Sequence, residues 1–523
     1  MYLTLSLQRS MQQTPGKTAT IFGERRRSFR EYGERVGRLA SALRSLGMQP
    51  NDRVGVLALN SDHFLESIMA VWWAGGVLNP VNIRWSVPEI VYSLDDCDTR
   101  FLIVDDAFSA LAPKIGAAAR HAPLFIHAGE SAAPQGMLSH EALIESSVFV
   151  EDAGHGGNDL ACIMYTGGTT GHPKGVMQSH LNLWSASVQR LAETPILRGS
   201  TTLHAVPLFH IAGLGRVVMQ SIAGECQAVL PSFDALEVLK IIERDKITDT
   251  VMVPTMIQAV LNHPDFDKYD LGSLRRLGYG ASPSASVMVE QFVRKLPGVE
   301  LSHAYGLTEA CPVISASGPE NHSEAARRSG ASRSVGRPAF AVLVKIVDTA
   351  GCELPRGVVG EVIARGPNVM LGYWNKPEET AKALRDGWLH TGDGGYMDTD
   401  GQLYIVDRIK DMIVSGGENI YSAEVENAIA QHPGVAMCAV IGIPHLKWGE
   451  AVHALVVRKA GAEIDEEAVR AHCAEFIAGY KCPKTVEFRD ALPLSSAGKI
   501  LKRDLRAPFW ADRAAAHGAE VES

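Results

Sequence analysis

Segments with the pattern of buried strands alternate with segments that have the pattern of amphipathic helices, and this alternation limits the fold more than any other feature of the sequence. Residues 53–59 and 101–104 have the strand pattern, and residues 62–73 between them have the helix pattern. An earlier helix begins at the capping box Ser28-Phe-Arg-Glu31 and ends at Gly47. Strand–helix–strand units of this kind build a parallel sheet with helices on its faces.

The same alternation returns further along the chain, and the C-terminal part departs from it. Residues 250–253, 277–279 and 300–304 are predicted strands, with a helix over 284–296. The polar, glycine-rich residues 315–335 are predicted to form an exposed loop. Short alternating strands follow, with a hairpin turn at Asp400-Gly401, and a separate α+β unit is predicted from about residue 411.

Length and composition exclude several classes of protein. At 523 residues the chain is too long for a single core, so two or more domains are expected. The net charge is −9 and no long basic run is present, which argues against nucleic-acid binding. The most apolar stretch, residues 68–83, is interrupted by glycine, asparagine and proline and is too short to span a bilayer. The N-terminus lacks a signal-peptide pattern. We therefore expect a cytoplasmic protein, with peripheral membrane contact and a homodimer both left open.

Cysteine and histidine spacing predicts neither a disulfide framework nor a zinc site. The eight cysteines are scattered without Cys-x-x-Cys spacing, and the 18 histidines show no paired ligand spacing. Most of the cysteines are therefore expected to be small buried thiols.

A glycine-rich segment points to phosphate binding. Residues 165–175 read Tyr-Thr-Gly-Gly-Thr-Thr-Gly-His-Pro-Lys-Gly. Glycine lets backbone N–H groups come close to an anion, and successive N–H groups form an anion-binding nest. Threonine hydroxyls and Lys174 add donors and a positive charge. Because Pro173 precedes the lysine and Gly175 follows it, this is not a Walker A loop, in which Gly-Lys-Ser/Thr opens a helix. A glycine-rich surface loop without a ligand is the alternative.

This segment resembles the phosphate-binding signature of adenylate-forming enzymes, the superfamily of acyl-CoA synthetases, peptide-synthetase adenylation domains and luciferases. Four further blocks match the superfamily in its order: Tyr-Gly-Leu-Thr-Glu at 305–309, Thr-Gly-Asp at 391–393, Asp-Arg-Ile-Lys-Asp-Met-Ile-Val-Ser-Gly-Gly-Glu-Asn-Ile at 407–420, and Pro-Leu-Ser-Ser-Ala-Gly-Lys-Ile at 493–500. The chain has Gly167 where the signature usually has serine. The resemblance covers nearly the whole chain.

The resemblance implies an α/β fold in two parts. Residues 1–409 are expected to form a large N-terminal AMP-binding domain of two doubly wound sheets plus a small β-barrel-like subdomain. Residues 410–523 are expected to form a smaller, mobile α+β domain that carries the catalytic lysine.

The implied reaction uses ATP, Mg²⁺ and CoA. A carboxylate attacks the α-phosphorus of ATP to give an acyl-adenylate and pyrophosphate, and a thiol then attacks the activated carbonyl and expels AMP. Glu309 is expected to hold Mg²⁺ and Thr308 to bind a phosphate oxygen. Asp393 is expected to accept hydrogen bonds from the ribose hydroxyls, with Arg408 beside it. The other expected nucleotide-binding residues are Thr166, Gly167, Gly168, Thr169, Thr170, Gly171 and Lys174 at the phosphates, Gly280, Ala281, Ser282 and Tyr305 at the adenine, and Gly306 in the same block as Tyr305.

Two lysines resemble the residues on which the two half-reactions depend. Lys499 matches the lysine that contacts the carboxylate and the α-phosphate during adenylation, and Lys410 matches the hinge between the domains. Gly416 and Gly417 are expected to give the backbone freedom for a second arrangement, in which their loop lines a thiol tunnel.

The CoA nucleotide is expected near Trp448, for which a packing tryptophan is the alternative. Cys482 stands where some relatives carry an arginine that binds CoA phosphates. Lys481 and Lys484 are the candidates to replace that arginine.

The acyl pocket is the least constrained part of the site. His210 and Gly213 lie in Phe-His-Ile-Ala-Gly-Leu at 209–214, which resembles the segment that lines the pocket. Tyr279 stands where glycine is usual, and its ring is expected to limit the pocket; a core-packed tyrosine is the alternative. The implied substrate is a medium- or long-chain fatty acid. A hydroxycinnamate-type aryl acid, a carrier-protein thiol in place of CoA, and a catalytically silent scaffold are the rival interpretations.

Overall fold

The computed structural model describes residues 1–166, 172–280, 286–495 and 499–510, without the side chains of residues 286 and 287. Its strands, in chain order, are β1 Thr18–Phe22, β2 Arg25–Ser28, β3 Arg53–Leu57, β4 Val77–Pro80, β5 Thr99–Val104, β6 Leu124–His127, β7 Leu138–Ser139, β8 Leu160–Thr166, β9 Lys174–Ser179, β10 Thr201–His204, β11 Cys226–Val229, β12 Asp249–Met252, β13 Arg276–Gly280, β14 Glu300–Tyr305, β15 Ser315–Ser317, β16 Arg337–Pro338, β17 Leu343–Val347, β18 Gly360–Arg365, β19 Gly372–Tyr373, β20 Leu384–Arg385, β21 Trp388–Met397, β22 Leu403–Arg408, β23 Ile413–Ser415, β24 Glu418–Ile420, β25 Val435–His445, β26 Gly449–Arg458 and β27 Thr485–Phe488.

Its α-helices, in chain order, are α1 Leu5–Gln13, α2 Phe29–Ser45, α3 Asp62–Trp73, α4 Val87–Asp96, α5 Ala112–Ala118, α6 His140–Ser146, α7 His180–Glu193, α8 Ile211–Ala223, α9 Ala235–Asp245, α10 Pro254–Leu261, α11 Ser286–Lys295, α12 Glu324–Ser329, α13 Pro377–Ala383, α14 Ser422–Ala430 and α15 Glu466–Phe476. Of the helices in these described ranges, none is long and apolar enough to cross a membrane.

Two large sheets form the N-terminal part, which confirms the prediction of two doubly wound sheets. Within the described residues, one sheet has nine strands in the order β16-β15-β14-β13-β12-β10-β11-β1-β2, and the other has eight in the order β19-β9-β8-β4-β3-β5-β6-β7. The central strands of each sheet run parallel, as expected for strand–helix–strand units. Antiparallel strands are added at the edges, such as β15 beside β14 and β9 beside β8.

The two sheets share one buried core, which helices α2, α3, α7 and α8 build with them. Helix α3 has the predicted bounds, and all of its residues are buried. The predicted capping box at the start of α2 is also confirmed: the Glu31 N–H donates to Ser28 Oγ at 3.2 Å, and the Ser28 N–H donates to Glu31 Oε2 at 2.7 Å. A second core covers the other face of the nine-stranded sheet, under α9, α10 and α11.

Two smaller sheets follow. Strands β17, β18, β21 and β20 pair in that order, with β22 on β21, and form the expected half-barrel subdomain. Strands β24, β23, β26 and β25, with β27 on β26, form the C-terminal sheet, which packs with α14 and α15 around its own core. That core begins at Ile413. The division at residues 409 and 410 stays a prediction.

The prediction that residues 315–335 form an exposed loop is wrong. The segment contains β15 and α12, and it leads into β16, so that it extends the edge of the nine-stranded sheet. Ser315 and Ser317 are buried, and Ser315 Oγ donates to the Val335 carbonyl at 2.9 Å. A buried serine that is hydrogen-bonded as Ser315 is gives a strand a polar sequence, so the alternation of apolar and polar residues does not reveal the strand.

Candidate active site

A cavity of about 1070 Å³ opens at the carboxyl ends of the parallel strands of the nine-stranded sheet. Gly280 at the end of β13 and Gly306 after β14 line it, together with Ile211 at the start of α8 and Lys499 from the C-terminal part. Parallel sheets of this kind hold ligands at that edge. Most of the predicted site residues that the structure describes lie around this single cavity.

Tyr305 and Asp393 come together with Arg408, which lines the cavity. Asp393 in β21 lies opposite Arg408 in β22, and Arg408 Nε is 2.8 Å from Asp393 Oδ1. The Tyr305 hydroxyl donates to Asp393 Oδ2 at 2.6 Å. The Asp393 carboxylate raises the pKa of Arg408, while burial, followed by Asp393, raises the pKa of Tyr305. The Asp393 carboxylate therefore lies between two hydrogen-bond donors, Arg408 and Tyr305, which fix its orientation.

Thr308 and Glu309 form a short 3₁₀ turn, Thr308–Ala310, directly after β14. The Tyr373 hydroxyl donates to Glu309 Oε1 at 2.8 Å, and Gln178 Nε2 donates to the Thr308 carbonyl at 2.8 Å. Both turn residues line the cavity. The Glu309 carboxylate is thus oriented by a neutral donor and faces the space that a ligand would occupy.

Lys174 and Thr166 pair across the β8–β9 hairpin, at the mouth of the glycine-rich segment. The Lys174 ammonium pairs with Glu379 and lies 5.1 Å from the centre of the Tyr373 ring. Both residues of the hairpin line the cavity. The predicted residues Gly167, Gly168, Thr169, Thr170 and Gly171 lie outside the described residues, as do Ala281 and Ser282.

Two of the predicted glycines allow the backbone to approach closely at the cavity edge. A Cβ on Gly280 would lie 2.4 Å from the Ala304 carbonyl oxygen, and a Cβ on Gly306 would lie 1.7 Å from the Pro312 carbonyl oxygen. Because backbone atoms cannot move aside at low cost, any side chain at these positions would force the strand ends apart.

Lys499 faces the cavity from the C-terminal part. The Lys499 N–H donates to Ser495 Oγ at 3.0 Å, and Arg84 Nη1, from the N-terminal part, donates to the Ser495 carbonyl at 2.9 Å. Burial, and then the charge of Arg408, lowers the pKa of Lys499, against the opposing fields of Asp393 and Glu309. The ammonium therefore shares its surroundings with the residues expected at the nucleotide.

His210 lines the cavity where α8 begins, but Gly213 does not have the predicted place. Burial lowers the pKa of His210 to about 4, with smaller contributions from Lys499 and Arg84, so its imidazole is neutral at pH 7. Gly213 is not among the described residues that line the cavity. A Cβ there would lie 2.2 Å from the Pro207 carbonyl oxygen, so this glycine lets α8 pack on the preceding loop.

Tyr279 has its ring in the core rather than in the acyl space. Its ring stacks on His303 at 4.5 Å, and its hydroxyl lies 2.9 Å from His322 Nε2. Because side chains alternate across a strand, this ring and the cavity-lining positions Gly278 and Gly280 point to opposite faces of the sheet. Tyr279 borders the cavity, yet the position of its ring does not support a pocket-limiting role.

The predicted hinge region contains one turn that lines the cavity and one that does not. Lys410 lies in the 3₁₀ turn Ile409–Asp411, where burial and then the charge of Arg408 lower its pKa. Gly416 and Gly417 have φ values of 63° and 88° and form the two-residue turn that joins β23 to β24. Positive φ at both positions is the requirement of a type I′ hairpin turn. These glycines therefore have a local structural role that the sequence did not predict.

Trp448 lies on the turn between β25 and β26, and it is absent from the described residues that line the cavity. Its ring stacks on His445 at 4.2 Å, and Lys484 Nζ lies 5.5 Å from the ring centre. Lys481 pairs with Glu424 at 2.7 and 2.8 Å. Of the two candidate lysines, Lys484 is thus the one beside Trp448.

Sequence reasoning missed the arginines at the deep end of the cavity. Arg190 in α7 and Arg216 in α8 both line it, on the side of β12, β13 and β14. Neither belongs to a recognisable motif, and no periodicity marks them as functional. Only the packing of two helices against the sheet brings them together.

The structure also brings together potential metal ligands that the sequence spacing did not reveal. Ligand atoms of His63, Glu66, His140 and Glu141, away from the cavity, lie within 4.8 Å of one another. Arg35 pairs with both glutamates. Burial opposes the charge of His63, but its hydrogen bond to Glu141 and the field of Glu66 raise its pKa overall. Guanidinium and imidazole groups thus already compensate these carboxylates.

Comparison with known proteins agrees with this geometry. The AMP-binding enzyme family model matches residues 7–374, and the AMP-binding enzyme C-terminal domain model matches residues 424–499. The chain is 39% identical over 502 residues to a feruloyl-CoA synthase of Amycolatopsis sp, covering 96% of this chain and 98% of that protein. It is 35% identical over 530 residues to a medium/long-chain-fatty-acid–CoA ligase of Mycobacterium tuberculosis, covering 96% and 89%.

Among solved structures, an anthranilate CoA ligase in complex with anthranoyl-AMP superposes with a TM-score of 0.91 at 27% identity, covering 98% of both chains. The family models together span most of the sequence, and the relatives are matched over nearly their full lengths. The chain therefore belongs to the AMP-binding enzyme family and is an AMP-forming acid–thiol ligase.

Proposed function

We propose that this protein activates a carboxylic acid with ATP in the cavity described above and then transfers the acyl group to CoA. The observation that carries the proposal is the convergence of Lys499, Glu309 and Arg408 on one cavity, with Asp393 paired to that arginine. Adenylation brings two anions together, so cations and donors aimed at the reacting phosphate lower its barrier. Lys499 supplies a charge at the end of a flexible stem, suited to contact both the carboxylate and the α-phosphate.

The nucleotide is proposed to lie between the phosphate segment and the Asp393 side of the cavity. Asp393 offers a carboxylate with several lone pairs to the ribose diol, and Arg408 and Tyr305 fix its orientation. Lys174 contributes charge at the phosphates from the base of the β8–β9 hairpin.

Glu309 is the proposed magnesium ligand. Mg²⁺ favours one carboxylate together with substrate phosphates and water, and the Glu309 carboxylate, oriented by Tyr373, fits that donor set. When bound, the ion neutralises phosphate charge. The residue would hold it beside Thr308, whose hydroxyl is proposed to bind a phosphate oxygen.

The CoA nucleotide is proposed to bind near Trp448. Lys484 beside the Trp448 ring supports this, because a cation and a flat aromatic face suit a phosphate and a base respectively. Lys481 is paired with Glu424, which leaves Lys484 the better replacement for the arginine that Cys482 lacks.

The acid is proposed to be an aryl acid of the hydroxycinnamate type. The 39% identity to a feruloyl-CoA synthase supports this class, and the arginines at the deep end of the cavity suit a tail with polar atoms. A medium- or long-chain fatty acid is the second candidate, supported by the 35% identity to a fatty-acid–CoA ligase.

The test is an acid-dependent ATP–pyrophosphate exchange assay, run beside CoA-thioester formation over short, medium, long-chain and aryl acids. Exchange and thioester formation with an aryl acid are expected. AMP release that is independent of free CoA, but restored by a carrier protein, would favour the carrier-protein alternative. An absence of exchange with every acid would favour a silent scaffold.

A further inference from the structure

The acyl end of the cavity is built on three adjacent strands in register. Val251 in β12 pairs with Gly278 in β13, which pairs with Ser302 in β14. Two residues further along, Gly280 pairs with Ala304 at the cavity edge. Since alternate residues share a face and each residue rises about 3.3 Å, the Gly278–Ser302 level lies about 7 Å deeper than the Gly280–Ala304 level.

Arg190 reaches this deeper level from α7. Its Nη2 donates to Ser302 Oγ at 3.0 Å, and its Nη1 donates to the His303 carbonyl at 3.4 Å. Gly278 places no side chain between the strand and the guanidinium group. A Cβ at this position would lie 3.9 Å from Arg190 Nη2. Both of its acceptors are neutral. No carboxylate in the described part of the chain is hydrogen-bonded to Arg190, and Glu193, three residues along α7, acts on it only through its field.

Arg216 provides the contrast. It pairs with Asp249, and its Nη2 donates to Thr202 Oγ1 at 3.2 Å, one level below Val251. Two guanidinium groups thus line this part of the cavity, where Asp249 pairs with Arg216 and the more distant Glu193 acts on Arg190 through its field. Burial, and then the charge of Arg216, lowers the pKa of Arg190 to about 10, so the group is still charged at neutral pH.

A charged guanidinium with only neutral acceptors is costly inside a protein unless a ligand adds an acceptor. Arg190 has five N–H donors in a planar fork, and the fork matches carboxylate and other oxygen acceptors. Arg190 lines the same cavity as Lys499 and His210.

We propose that Arg190 binds an oxygen acceptor at the far end of the substrate, so that the acid is one with a distal carboxylate or phenol oxygen rather than a plain alkyl chain. The inference rests on the proposed function and narrows its substrate class. The Arg190 level lies about 7 Å below the Gly280–Ala304 edge, a depth that an aryl ring on a short carbon arm can span. A distal carboxylate, which pairs with the charge directly, is bound more tightly than a phenol.

The experiment compares three arylpropenoic acids of matched shape that carry hydrogen, hydroxyl or carboxylate at the ring position opposite the arm, together with decanoic acid. The readout is kcat/KM for thioester formation. The wild-type protein is expected to favour the oxygen-bearing acids over the unsubstituted acid by at least roughly a hundredfold, because a site built for an acceptor rejects an analogue without one. Arg190→Met is expected to remove or reverse this preference.

Arg276→Met is the matched control. Arg276 lies on the same face of β13 and pairs with Glu300 at 2.6 Å, but it is not among the described residues that line the cavity. This variant is expected to keep the wild-type ratio. Thermal unfolding of each variant separates loss of the contact from loss of the fold.

The outcomes distinguish this inference from the function on which it rests. If kcat/KM for the unsubstituted or alkyl acid equals that for the oxygen-bearing acids, the inference is overturned, while the ligase activity is still supported. An unchanged ratio in folded Arg190→Met also overturns it. If Arg190→Met does not fold, the test rests on the ratio of kcat/KM between the oxygen-bearing and unsubstituted acids in the wild-type protein and in Arg190→Lys. No turnover of any acid in any of these proteins overturns the proposed function, and the inference with it.

Discussion

The two ends of the cavity balance their charges differently. At the nucleotide end, Asp393 is paired with Arg408 and hydrogen-bonded by Tyr305, so its geometry is set before a ligand arrives. At the acyl end, Arg190 donates only to neutral acceptors, and no described carboxylate forms a direct ion pair with it; Glu193 acts on it only through its field. Fixed geometry at the nucleotide end suits a ligand that is always the same. Hydrogen-bond donors available at the acyl end can select among different acids. We expect the nucleotide end to govern rate and the acyl end to govern choice of acid.

The largest effect is expected for Lys499→Ala. Loss of the ammonium should lower acid-dependent pyrophosphate exchange by at least roughly a hundredfold, the scale for one electrostatic group at a reacting centre. The loss should be the same for every acid, and supplied acyl-adenylate should still be converted to the thioester. Lys459→Ala removes an exposed lysine of the same domain and serves as the control. An equal loss in both half-reactions would show that Lys499 is not specific to adenylation.

Asp393→Asn should have the next largest effect. The amide keeps the shape but loses the charge that pairs with Arg408 and one acceptor for the ribose. A hydrogen bond to a charged group contributes about 1.5–3 kcal/mol, so kcat/KM for ATP should fall about 10- to 150-fold. The ratio between acids should not change. Asp400→Asn, in the exposed turn between β21 and β22, is the control. A changed ratio of kcat/KM between acids in Asp393→Asn would show that the nucleotide end also influences the choice of acid.

Lys410→Pro tests whether the C-terminal part must move between the half-reactions. Proline fixes φ in the turn Ile409–Asp411, which joins β22 to the C-terminal sheet. Adenylation should persist while thioester formation falls several-fold or more, because such positions absorb the backbone change. Lys410→Ala is the control, because it removes the charge of the side chain without restricting φ. Full overall turnover by the proline variant would rule out the two-arrangement mechanism.

A smaller effect is expected in the pH profile of adenylation. Burial and Arg408 lower the pKa of Lys499, and only the protonated amine carries the required charge. The charged form is present below this pKa and is lost as the pH rises through it, so exchange should decline at a lower pH than the value of about 10.4 for an ordinary lysine. Lys499→Arg should move the alkaline decline of its residual activity upward, since a guanidinium stays charged. An unshifted decline would mean that another group titrates.

The smallest effect on activity is expected for Tyr279→Phe. The change removes the hydroxyl contact with the buried His322 and should lower the free energy of unfolding by about 1–3 kcal/mol. The acid profile should stay parallel to that of the wild-type protein, because the ring lies on the face of β13 opposite Gly278. Tyr480→Phe, at an exposed tyrosine, should change stability by no more than about 0.5 kcal/mol. Tyr279→Gly removes the ring itself, and a shift toward longer acids in that variant would show that the ring limits the pocket.

Much of the fold followed from local pattern. Helix α3 has the predicted bounds, and the capping box of α2 forms as expected, because both depend on residues within a few positions of one another. Strand β15 was misread as a loop because its serines are polar, although Ser315 is buried and its hydroxyl donates to the Val335 carbonyl. The packing of Gly213 against the Pro207 carbonyl could not be predicted for a related reason, because this contact forms only when α8 packs on the preceding loop.

What the sequence determined by itself is the reaction. The motifs around Asp393 and Lys499 fix the residue types that adenylation requires, and the alternation of strand and helix fixes the sheet on whose edge they meet. What only the tertiary structure decided is the acyl end. Arg190 meets Ser302 across 112 positions of sequence, and the face on which a strand residue points depends on packing between distant elements. Rate-determining chemistry recurs in short motifs, whereas the fit to one acid arises from contacts that no local pattern encodes.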